Sequence, residues 1–276
     1  MQLARPSSTA EAVTALADGL ALAGGTEVVP LLRDGILETE TLVDVRGIVP
    51  HGISGRTIGA GTTLAELEAS TEIPDALREA CRLAASPQLR NMGTIGGNLL
   101  QATRCWYWRL RFPCRLHGGD ACHAREGQHR EHAFFGNDYC ASAHPSDPAA
   151  ALLAIGARVR TDRRELHLAE LYRLPTEDDR STTTLAADEL ILELELPEVE
   201  ASTYLKAMDR QRWAFALVGV AAARVGGETR VALAGAAPIP WLLAAPDDLE
   251  RATPLEGTAF KVEIARTLVA RATAAL

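Results

Sequence analysis

The chain has 276 residues, of which 47% are hydrophobic and 23% charged, the composition of a globular protein with a substantial core. Its net charge of −8 disfavours nucleic acid as a partner, because phosphate binding needs a basic face. No apolar run approaches the length of about 20 residues needed to cross a bilayer, and residues 1–19 carry Glu11 and Asp18 without the apolar core of a signal peptide, so we expect a cytoplasmic protein with reduced thiols.

Helices and strands alternate in the first part of the chain. Residues 8–19 predict a helix that begins with a Ser8 or Thr9 cap and ends at Gly19. Residues 20–35, LALAGGTEVVPLLRDG, predict a short strand, a glycine turn and a second helix. Further strands are predicted at 41–48, 57–61 and 157–161, and further helices at 63–70, 74–86 and 147–156.

The pattern of predicted secondary structure changes near residue 176. The polar stretch TEDDRSTTT, residues 176–184, predicts a linker, and we place the main domain boundary there. Strand-like runs then follow in close succession and predict one antiparallel sheet: residues 189–197, 202–210, 215–225 and 229–238. Residues 261–276 have helical periodicity and predict a closing helix.

Two glycine turns are candidates for binding a phosphate. Ala23–Val28 (AGGTEV) and Gly93–Asn98 (GTIGGN) each let backbone N–H groups converge without side-chain obstruction. Asn98 can also hydrogen-bond a flavin or ribityl edge. Neither turn fits the G-x-G-x-x-G dinucleotide pattern, and a lone glycine pair more often marks a purely structural turn than a phosphate site. Together the turns favour a dinucleotide whose pyrophosphate is held from two sides.

Four of the five cysteines lie within residues 105–140: Cys105, Cys114, Cys122 and Cys140. Reduced thiols in such a cluster indicate a metal or redox site rather than disulfides. Four ligands fit a tetrahedral zinc ion or a [4Fe–4S] cluster equally well in number, although the close C-x2–4-C pair that is usual for zinc is missing. Neighbouring arginines are expected to offset the thiolate charge: Arg104, Arg109, Arg111 and Arg115.

Two other interpretations of the cysteine-rich region stay open. Five of the seven histidines also lie there, at 117, 123, 129, 132 and 144, which allows a mixed Cys/His zinc site. The thiols could instead pack as small hydrophobic side chains with no site at all.

In combination these motifs resemble the FAD-binding subunit of the molybdenum hydroxylase (xanthine dehydrogenase) family, over nearly the whole chain. AGGTEVVPLLRDG resembles that family's first FAD loop and RNMGTIGGN its second, and HPSDPAAALLAIGARV, DELILELELP, YLKAMDR and ALAGAAPIPW follow in the family's order. The cysteine-rich insertion is similar to the subgroup whose flavin subunit carries a [4Fe–4S] loop, the type found in aldehyde oxidoreductase and 4-hydroxybenzoyl-CoA reductase.

The resemblance implies an α+β architecture in three parts. Residues 1–56 and 57–175 would form the two lobes of a PCMH/VAO-type FAD-binding fold, with the [4Fe–4S] insertion at about 102–142. Residues 176–276 would form an antiparallel sheet-and-helix domain of the CO dehydrogenase flavoprotein C-terminal type. That domain is shortened, because only about 20 residues separate Trp241 from the closing helix.

The resemblance also assigns cofactors and residues. FAD would be bound by Ala23, Gly24, Gly25, Thr26, Glu27, Val28, Thr94, Ile95, Gly96, Gly97, Asn98, Asp147, Ile191 and Lys206, and the [4Fe–4S] cluster by Cys105, Cys114, Cys122 and Cys140. Asp147 would lie against the second glycine loop, its alternative role being a helix N-cap. Lys206 would lie near the isoalloxazine and favour the anionic reduced flavin, its alternative being a solvated strand lysine.

The function implied is electron transfer. The chain would work with a molybdenum-binding large subunit, a [2Fe–2S] small subunit and a ferredoxin-like or other acceptor, and no substrate hydroxylation would occur on it. The shortened C-terminal part leaves open a stand-alone flavoenzyme that acts on a small molecule in a biosynthetic pathway. A zinc-stapled module without flavin is a third, non-enzymatic possibility.

Overall fold

The computed structural model describes residues 1–276, except for the side chain of residue 246. Its strands are β1 Gln2–Ala4, β2 Gly19–Leu22, β3 Thr41–Asp44, β4 Ile53–Ser54, β5 Thr57–Gly59, β6 Arg158–Thr161, β7 Glu165–His167, β8 Ile191–Glu195, β9 Ala201–Ala207, β10 Val218–Val225, β11 Glu228–Ala234 and β12 Trp241–Leu242.

The helices are α1 Thr9–Leu16, α2 Val28–Arg33, α3 Leu64–Ala69, α4 Asp75–Leu83, α5 Pro87–Arg90, α6 Ile95–Leu99, α7 Trp106–Arg109, α8 His123–Glu126, α9 Asp147–Ile155, α10 Leu168–Leu171 and α11 Ala259–Ala274. Three short 3-10 turns lie at Arg115–His117, Pro246–Arg251 and Glu256–Thr258. No helix among the described residues has the length and apolar character that a membrane crossing requires.

The N-terminal lobe is a small parallel sheet with the strand order β1-β3-β2. Helix α1 packs on it, and its start is fixed by Ser8, whose Oγ accepts the Glu11 amide at 3.2 Å. The buried face of the lobe is formed by Ala12 and Leu16 of α1 with Val43 of β3. This lobe presents the C-terminal end of β2, where the first glycine loop begins.

The second sheet has the order β4-β5-β8-β6-β7 and is antiparallel. Its central strand is β8, in which Leu194 lies opposite Ile58 of β5 and Val159 of β6. The prediction that residues 189–197 join the C-terminal sheet was therefore wrong. Strand propensity identifies the run as a strand but carries no information about its distant partners. The domain limits stay a prediction, yet this pairing carries the chain back into the second lobe after residues 176–184.

The third sheet has the order β12-β11-β10-β9 and contains the other three predicted runs, antiparallel as expected. Alternate residues of β10 enter two different cores, as the two-residue period of a strand requires. Val220 and Ala222 face the cluster that includes α11, whereas Ala221 and Ala223 face the cluster that includes α9. The sheet is thus covered by helices on both faces.

Helix α9 is the central helix of the molecule. All of its residues are buried, which fits a sequence, DPAAALLAI, that is apolar on every side. It packs on β10, β11 and α4, and shares a hydrophobic cluster with Ile58 and Leu194 of the second sheet. Its N-terminus is therefore held rigidly beside the second glycine loop.

The cysteine-bearing insertion has little regular structure and is joined to the C-terminal domain. The amides of Phe134 and Phe135 both donate to the Ala236 carbonyl, at 2.8 and 2.9 Å. Both rings are buried, and Phe135 stacks on Trp241 with centroids 5.2 Å apart. This pair of aromatic residues packs in the C-terminal core.

Candidate functional site

A cleft of about 860 Å³ runs between the N-terminal lobe, the second lobe and the insertion. Every residue predicted to bind flavin lines it except Ile95, which is buried in the second lobe's core. The lining set comprises Ala23, Gly24, Gly25, Thr26, Glu27, Val28, Thr94, Gly96, Gly97, Asn98, Asp147, Ile191 and Lys206. A cleft of this volume lies in the usual range for small-molecule and cofactor sites.

The two glycine loops touch each other through bare backbone. A Cβ atom at Gly24 would collide with the carbonyl oxygen of Met92, next to the second loop. A Cβ atom at Gly96 would lie 2.9 Å from the Cβ of Ala60. Gly25 has a φ of +72°, a conformation that favours glycine. Glycine is thus required at these positions for close approach and for the turn.

The loops differ in how their backbone amides are used. The amides of residues 24–28 donate no hydrogen bond to any described group. The amides of Ile95 and Gly96 donate to Thr62 and Ala60 carbonyls at 2.8 and 2.9 Å, and that of Asn98 donates to the Thr94 carbonyl at 2.8 Å. The first loop therefore has free donors for a ligand. The expected backbone donors of the second loop are largely occupied, because that loop is bound to its own lobe.

The start of α9 is connected to the second loop by a serine. Ser146 Oγ donates to Oδ1 of Asn98 and accepts the Ala149 amide at 3.0 Å, which makes Ser146 the N-cap of α9. The alternative role of Asp147 as N-cap was wrong, because Asp147 is the first helical residue. Its carboxylate is consequently free to point towards β9.

Asp147 and Lys206 form a buried ion pair at the cleft. Lys206 Nζ donates to Asp147 Oδ2 at 2.7 Å and to the Leu83 carbonyl at 3.0 Å, while the Tyr204 hydroxyl donates to Asp147 Oδ1. Burial raises the pKa of the Asp147 carboxyl, and Lys206 and Tyr204 oppose that rise. With its side chain 1% exposed, Lys206 is not a solvated strand lysine. Its proximity to a flavin ring remains a prediction.

The prediction that the arginines offset the thiolate charge was wrong for Arg104 and Arg109. Glu27 of the first loop accepts hydrogen bonds from Arg109 at 2.6 Å and from the Ala102 amide at 3.1 Å, and Arg104 lies 2.8 Å from its other oxygen. Arg115 instead binds the Tyr139 carbonyl at 2.8 Å. Arg104 and Arg109 are thus paired with a carboxylate, and they attach the insertion to the first glycine loop.

Sequence reasoning missed two stretches that line the cleft. Residues 180–183 and 185–187 form one wall, and the first four of them fall within the stretch 176–184 that the polar composition predicts as a linker. Residues 213–215 lie at another wall, where the exposed Phe215 ring receives the Arg104 guanidinium at 5.0 Å. No motif identifies either stretch, because both lie beside the cleft only through long-range pairing of β8, β9 and β10.

The four predicted cluster ligands converge. Cys105, Cys114, Cys122 and Cys140 line one enclosed cavity of about 20 Å³, and Cys81 lies elsewhere in the second lobe's core. Burial raises the pKa of Cys105 to about 11 and that of Cys140 to about 12, so these thiols are neutral without a metal.

Among the described residues, no group of three or more His, Cys, Asp and Glu side chains is arranged to hold a metal ion. A mononuclear zinc site would need sulfurs about 3.8 Å apart, given Zn–S bonds of about 2.3 Å in a tetrahedron. Of the five histidines in this region, only His123 lines the thiol cavity. The metal, its identity and the ligand roles of the four cysteines therefore stay predictions.

The thiol cavity and the cleft share a wall. Trp108 and Leu116 line both spaces. The Trp108 ring stacks on His117 with centroids 5.3 Å apart and planes 9° from parallel, and His117 Nε2 lies 2.9 Å from the Trp108 carbonyl. The two spaces are therefore adjacent along one fixed aromatic side chain.

Comparison with known proteins identifies relatives of this chain. Residues 1–199 match the family described as the FAD binding domain in molybdopterin dehydrogenase. The chain is 38% identical over 248 residues to the aldehyde oxidoreductase FAD-binding subunit PaoB of Escherichia coli K12, which covers 82% of this chain and 77% of PaoB. It is also 40% identical over 107 residues to the carbon monoxide dehydrogenase medium chain of Afipia carboxidovorans, 34% of this chain and 37% of that one.

Solved structures show the same fold. The Cu,Mo-CO dehydrogenase in its cyanide-inactivated form superposes with a TM-score of 0.71 at 22% identity, over 100% of this chain and 96% of that one. A Hydrogenophaga pseudoflava carbon monoxide dehydrogenase gives 0.69 at 24% identity with the same coverage. These likenesses confirm the expected α+β fold. The family match and the identity to PaoB show that the chain belongs to the FAD-binding subunits of the molybdenum hydroxylase family of oxidoreductases.

Proposed function

We propose that this chain is an electron-transfer subunit that holds FAD in the cleft and a [4Fe–4S] cluster in the insertion. The observation that carries the proposal is the shared wall: Trp108 and Leu116 separate a cleft lined by both glycine loops from a cavity lined by four cysteines. Two cofactors in these spaces would lie within the short range that electron transfer requires.

The cleft fits FAD by the chemistry of its donors. The free amides of residues 24–28 form a concave set of N–H groups, which suits a pyrophosphate. Glu27 orients this loop through its contacts with Arg104 and Arg109, while Lys206 Nζ supplies a positive charge that Asp147 holds in place. When bound, FAD supplies exchange of electrons singly or in pairs.

The thiol cavity fits a sulfur-ligated cluster by its composition. All four cysteines face one space, and the Arg115 contact with the Tyr139 carbonyl fixes the chain beside Cys140. Because Cys105 and Cys140 are neutral thiols in the metal-free protein, metal binding would release their protons and stabilise the insertion. When bound, a [4Fe–4S] cluster supplies a one-electron carrier.

The proposed partners follow from the relatives. PaoB is named as a subunit of an aldehyde oxidoreductase, and the carbon monoxide dehydrogenase relatives are medium chains. We infer a molybdenum-binding large subunit, a [2Fe–2S] small subunit and a ferredoxin-like or other acceptor for this chain, in the cytoplasm. Between β12 and α11 the described residues form 3-10 turns and no further α-helix or strand, and this short connection keeps the stand-alone flavoenzyme as the second candidate.

Anaerobic purification tests the cofactors. Flavin, iron, acid-labile sulfide and zinc are quantified per chain, and the visible spectrum is recorded before and after reduction. We expect one FAD per chain with iron and sulfide in the [4Fe–4S] ratio. A protein that contains zinc and no iron would overturn the cluster, and one that binds no added FAD would overturn the flavin site.

Isolation of the native protein under its own expression tests the complex. Recovery of a large molybdenum-containing chain with this one supports the subunit role. Recovery of this chain alone, with dehydrogenase activity towards a small molecule and a dye acceptor, supports the stand-alone flavoenzyme instead.

A further inference from the structure

The side chains of both lysines are buried, but among the described residues only Lys206 has an acidic partner. Lys206 is paired with Asp147, as described above. Lys261 on α11 is 0% exposed, and Nζ donates to the carbonyls of His132 and Gly235 at 2.7 Å each and of Glu131 at 3.3 Å. Among the described residues, no carboxylate lies within ion-pair distance of Lys261. A buried ammonium without a counter-ion is costly and therefore unusual.

The surroundings of Lys261 provide little negative charge. Glu131 is exposed, and its carbonyl is the atom that contacts the ammonium, while its carboxylate raises the pKa of Lys261 through a longer-range charge interaction that is smaller than the effect of burial. The Phe134 ring centroid lies 5.6 Å from Nζ, and the nearby titratable groups His129 and His132 are bases. Burial accordingly lowers the pKa of Lys261 to about 7. The missing negative charge must come from elsewhere if Lys261 is to stay charged.

His132 connects Lys261 to the cysteine cavity. Its carbonyl accepts from Lys261, while its Nε2 lies 3.2 Å from Sγ of Cys105. Its ring Nδ1 has no hydrogen-bond partner within the described part of the chain. A metal-bound Cys105 thiolate has no proton to donate, so His132 Nε2 would be the donor in this contact.

The unpaired positive charge of Lys261 and the negative charge of metal-bound cysteine thiolates would offset each other. Four metal-bound cysteine thiolates carry negative charge, and a bound cluster becomes more negative on reduction. Lys261 has positive charge without a partner, and His132 directs an N–H at one of the sulfurs. Positive charge and hydrogen bonds to sulfur are among the factors that raise the potential of an iron–sulfur cluster.

We propose that Lys261 and His132 are positioning residues that raise the reduction potential of the insertion's sulfur site, Lys261 as its buried counter-charge and His132 as the hydrogen-bond donor to Cys105. This inference rests on the proposed [4Fe–4S] function. It also makes α11, in the C-terminal domain, a determinant of the redox behaviour of the insertion.

The test is a redox titration of the anaerobic protein, in which the cluster and the flavin are monitored separately. Lys261→Met removes the charge and His132→Phe removes the donor. Each is expected to shift the cluster's midpoint potential to more negative values and to leave the flavin's midpoint unchanged, because neither residue lines the cleft. Arg266→Met is the matched control, because it removes an exposed cation from the same helix.

The outcomes separate the two proposals. A wild-type protein without iron overturns the cluster and this inference with it. An iron-loaded Lys261→Met protein with the wild-type midpoint overturns the inference alone. If Lys261→Met folds poorly, His132→Phe is compared with His132→Gln, which keeps an N–H donor. A midpoint restored by glutamine supports the hydrogen bond, and equal midpoints in the two variants overturn it.

Discussion

Glu27 of the first glycine loop accepts a 2.6 Å hydrogen bond from Arg109 of the cysteine-bearing insertion. Arg104, the residue before Cys105, lies 2.8 Å from the other oxygen of the same carboxylate. The Glu27 side chain therefore connects the loop whose free amides are proposed to bind phosphate with the segment that is proposed to bind iron. The two proposed cofactor sites are thus connected through Glu27, although Glu27 and Arg109 lie 82 residues apart in the sequence.

Glu27→Gln tests this coupling. The amide keeps the shape but removes the charge that both arginines bind, and hydrogen bonds to charged groups are worth about 1.5–3 kcal/mol. We expect FAD to bind about ten-fold more weakly and iron to be lost faster on exposure to a chelator, as measured by fluorescence titration and iron release. Glu38→Gln, at an exposed position, is the control and should behave as the wild type. Unchanged FAD affinity in Glu27→Gln would contradict the coupling.

Gly24→Ala tests the contact between the two loops. The added Cβ would collide with the Met92 carbonyl, so one loop must move and the amides of residues 24–28 lose their arrangement. We expect the purified variant to contain little FAD while its far-ultraviolet circular dichroism stays close to that of the wild type. Gly47→Ala is the matched control, because its Cβ would have nothing within 4 Å. Equal flavin content in the two variants would count against this account of the loop.

Cys114→Ser tests the thiol cavity. Serine is a poor iron ligand in this setting, so we expect a large loss of iron and sulfide with FAD retained, as measured by elemental analysis and the visible spectrum. Cys81→Ser is the control, because Cys81 is a buried thiol of the second lobe's core and outside the cavity. It should keep its iron even if its thermal stability falls. A Cys114→Ser protein with full iron content would remove Cys114 from the ligand set.

Much of the fold could be predicted from local sequence, because most elements carry their own signals. The Ser8 cap predicted the start of α1, and the apolar runs predicted β9, β10 and β11. The position of β8 could not be predicted in this way. Its alternation suits either sheet, and the choice depends on pairing with β5 and β6, which lie far away in the chain.

The candidate site, too, could be predicted from the sequence only where its residues form local patterns. Glycine turns and clustered cysteines are local patterns, and the structure places each set around one space. The partners of charged side chains are not local. The pairing of Arg109 with Glu27 spans 82 residues, and that of Lys206 with Asp147 spans 59. The sequence spacing predicted that the arginines lie beside the thiols, whereas in the fold Arg104 and Arg109 contact the first glycine loop.

Asp147→Asn tests the buried ion pair. Removing the carboxylate charge leaves Lys206 buried without its counter-ion, and breaking such pairs costs about 3–5 kcal/mol. We expect a fall of this size in the free energy of unfolding, as measured by urea denaturation of the FAD-free protein. Adding Lys206→Met to Asp147→Asn should recover part of the loss, because no unpaired charge remains. A single variant as stable as the wild type would show that Asp147 and Lys206 are not both charged in the fold.

The iron-free protein offers a test of Lys261 by pH. Because burial lowers its pKa from 10.5 to about 7, the folded chain releases this proton above about pH 7 while the unfolded chain still holds it. The unfolded state therefore binds more protons, and the free energy of unfolding should rise with pH, by at most about 1.4 kcal/mol per unit. The buried thiols act oppositely as pH approaches 9.0, since their folded pKa values are raised.

The comparison is therefore confined to the range between about pH 7 and 8.5. Urea denaturation of the iron-free wild type should give a free energy of unfolding that rises across this range relative to that of Lys261→Met. Arg266→Met, which changes an exposed cation on the same helix, should rise as the wild type does. Parallel curves for the wild type and Lys261→Met would mean that Lys261 keeps its charge throughout the range and has a stabilising partner already in the iron-free protein.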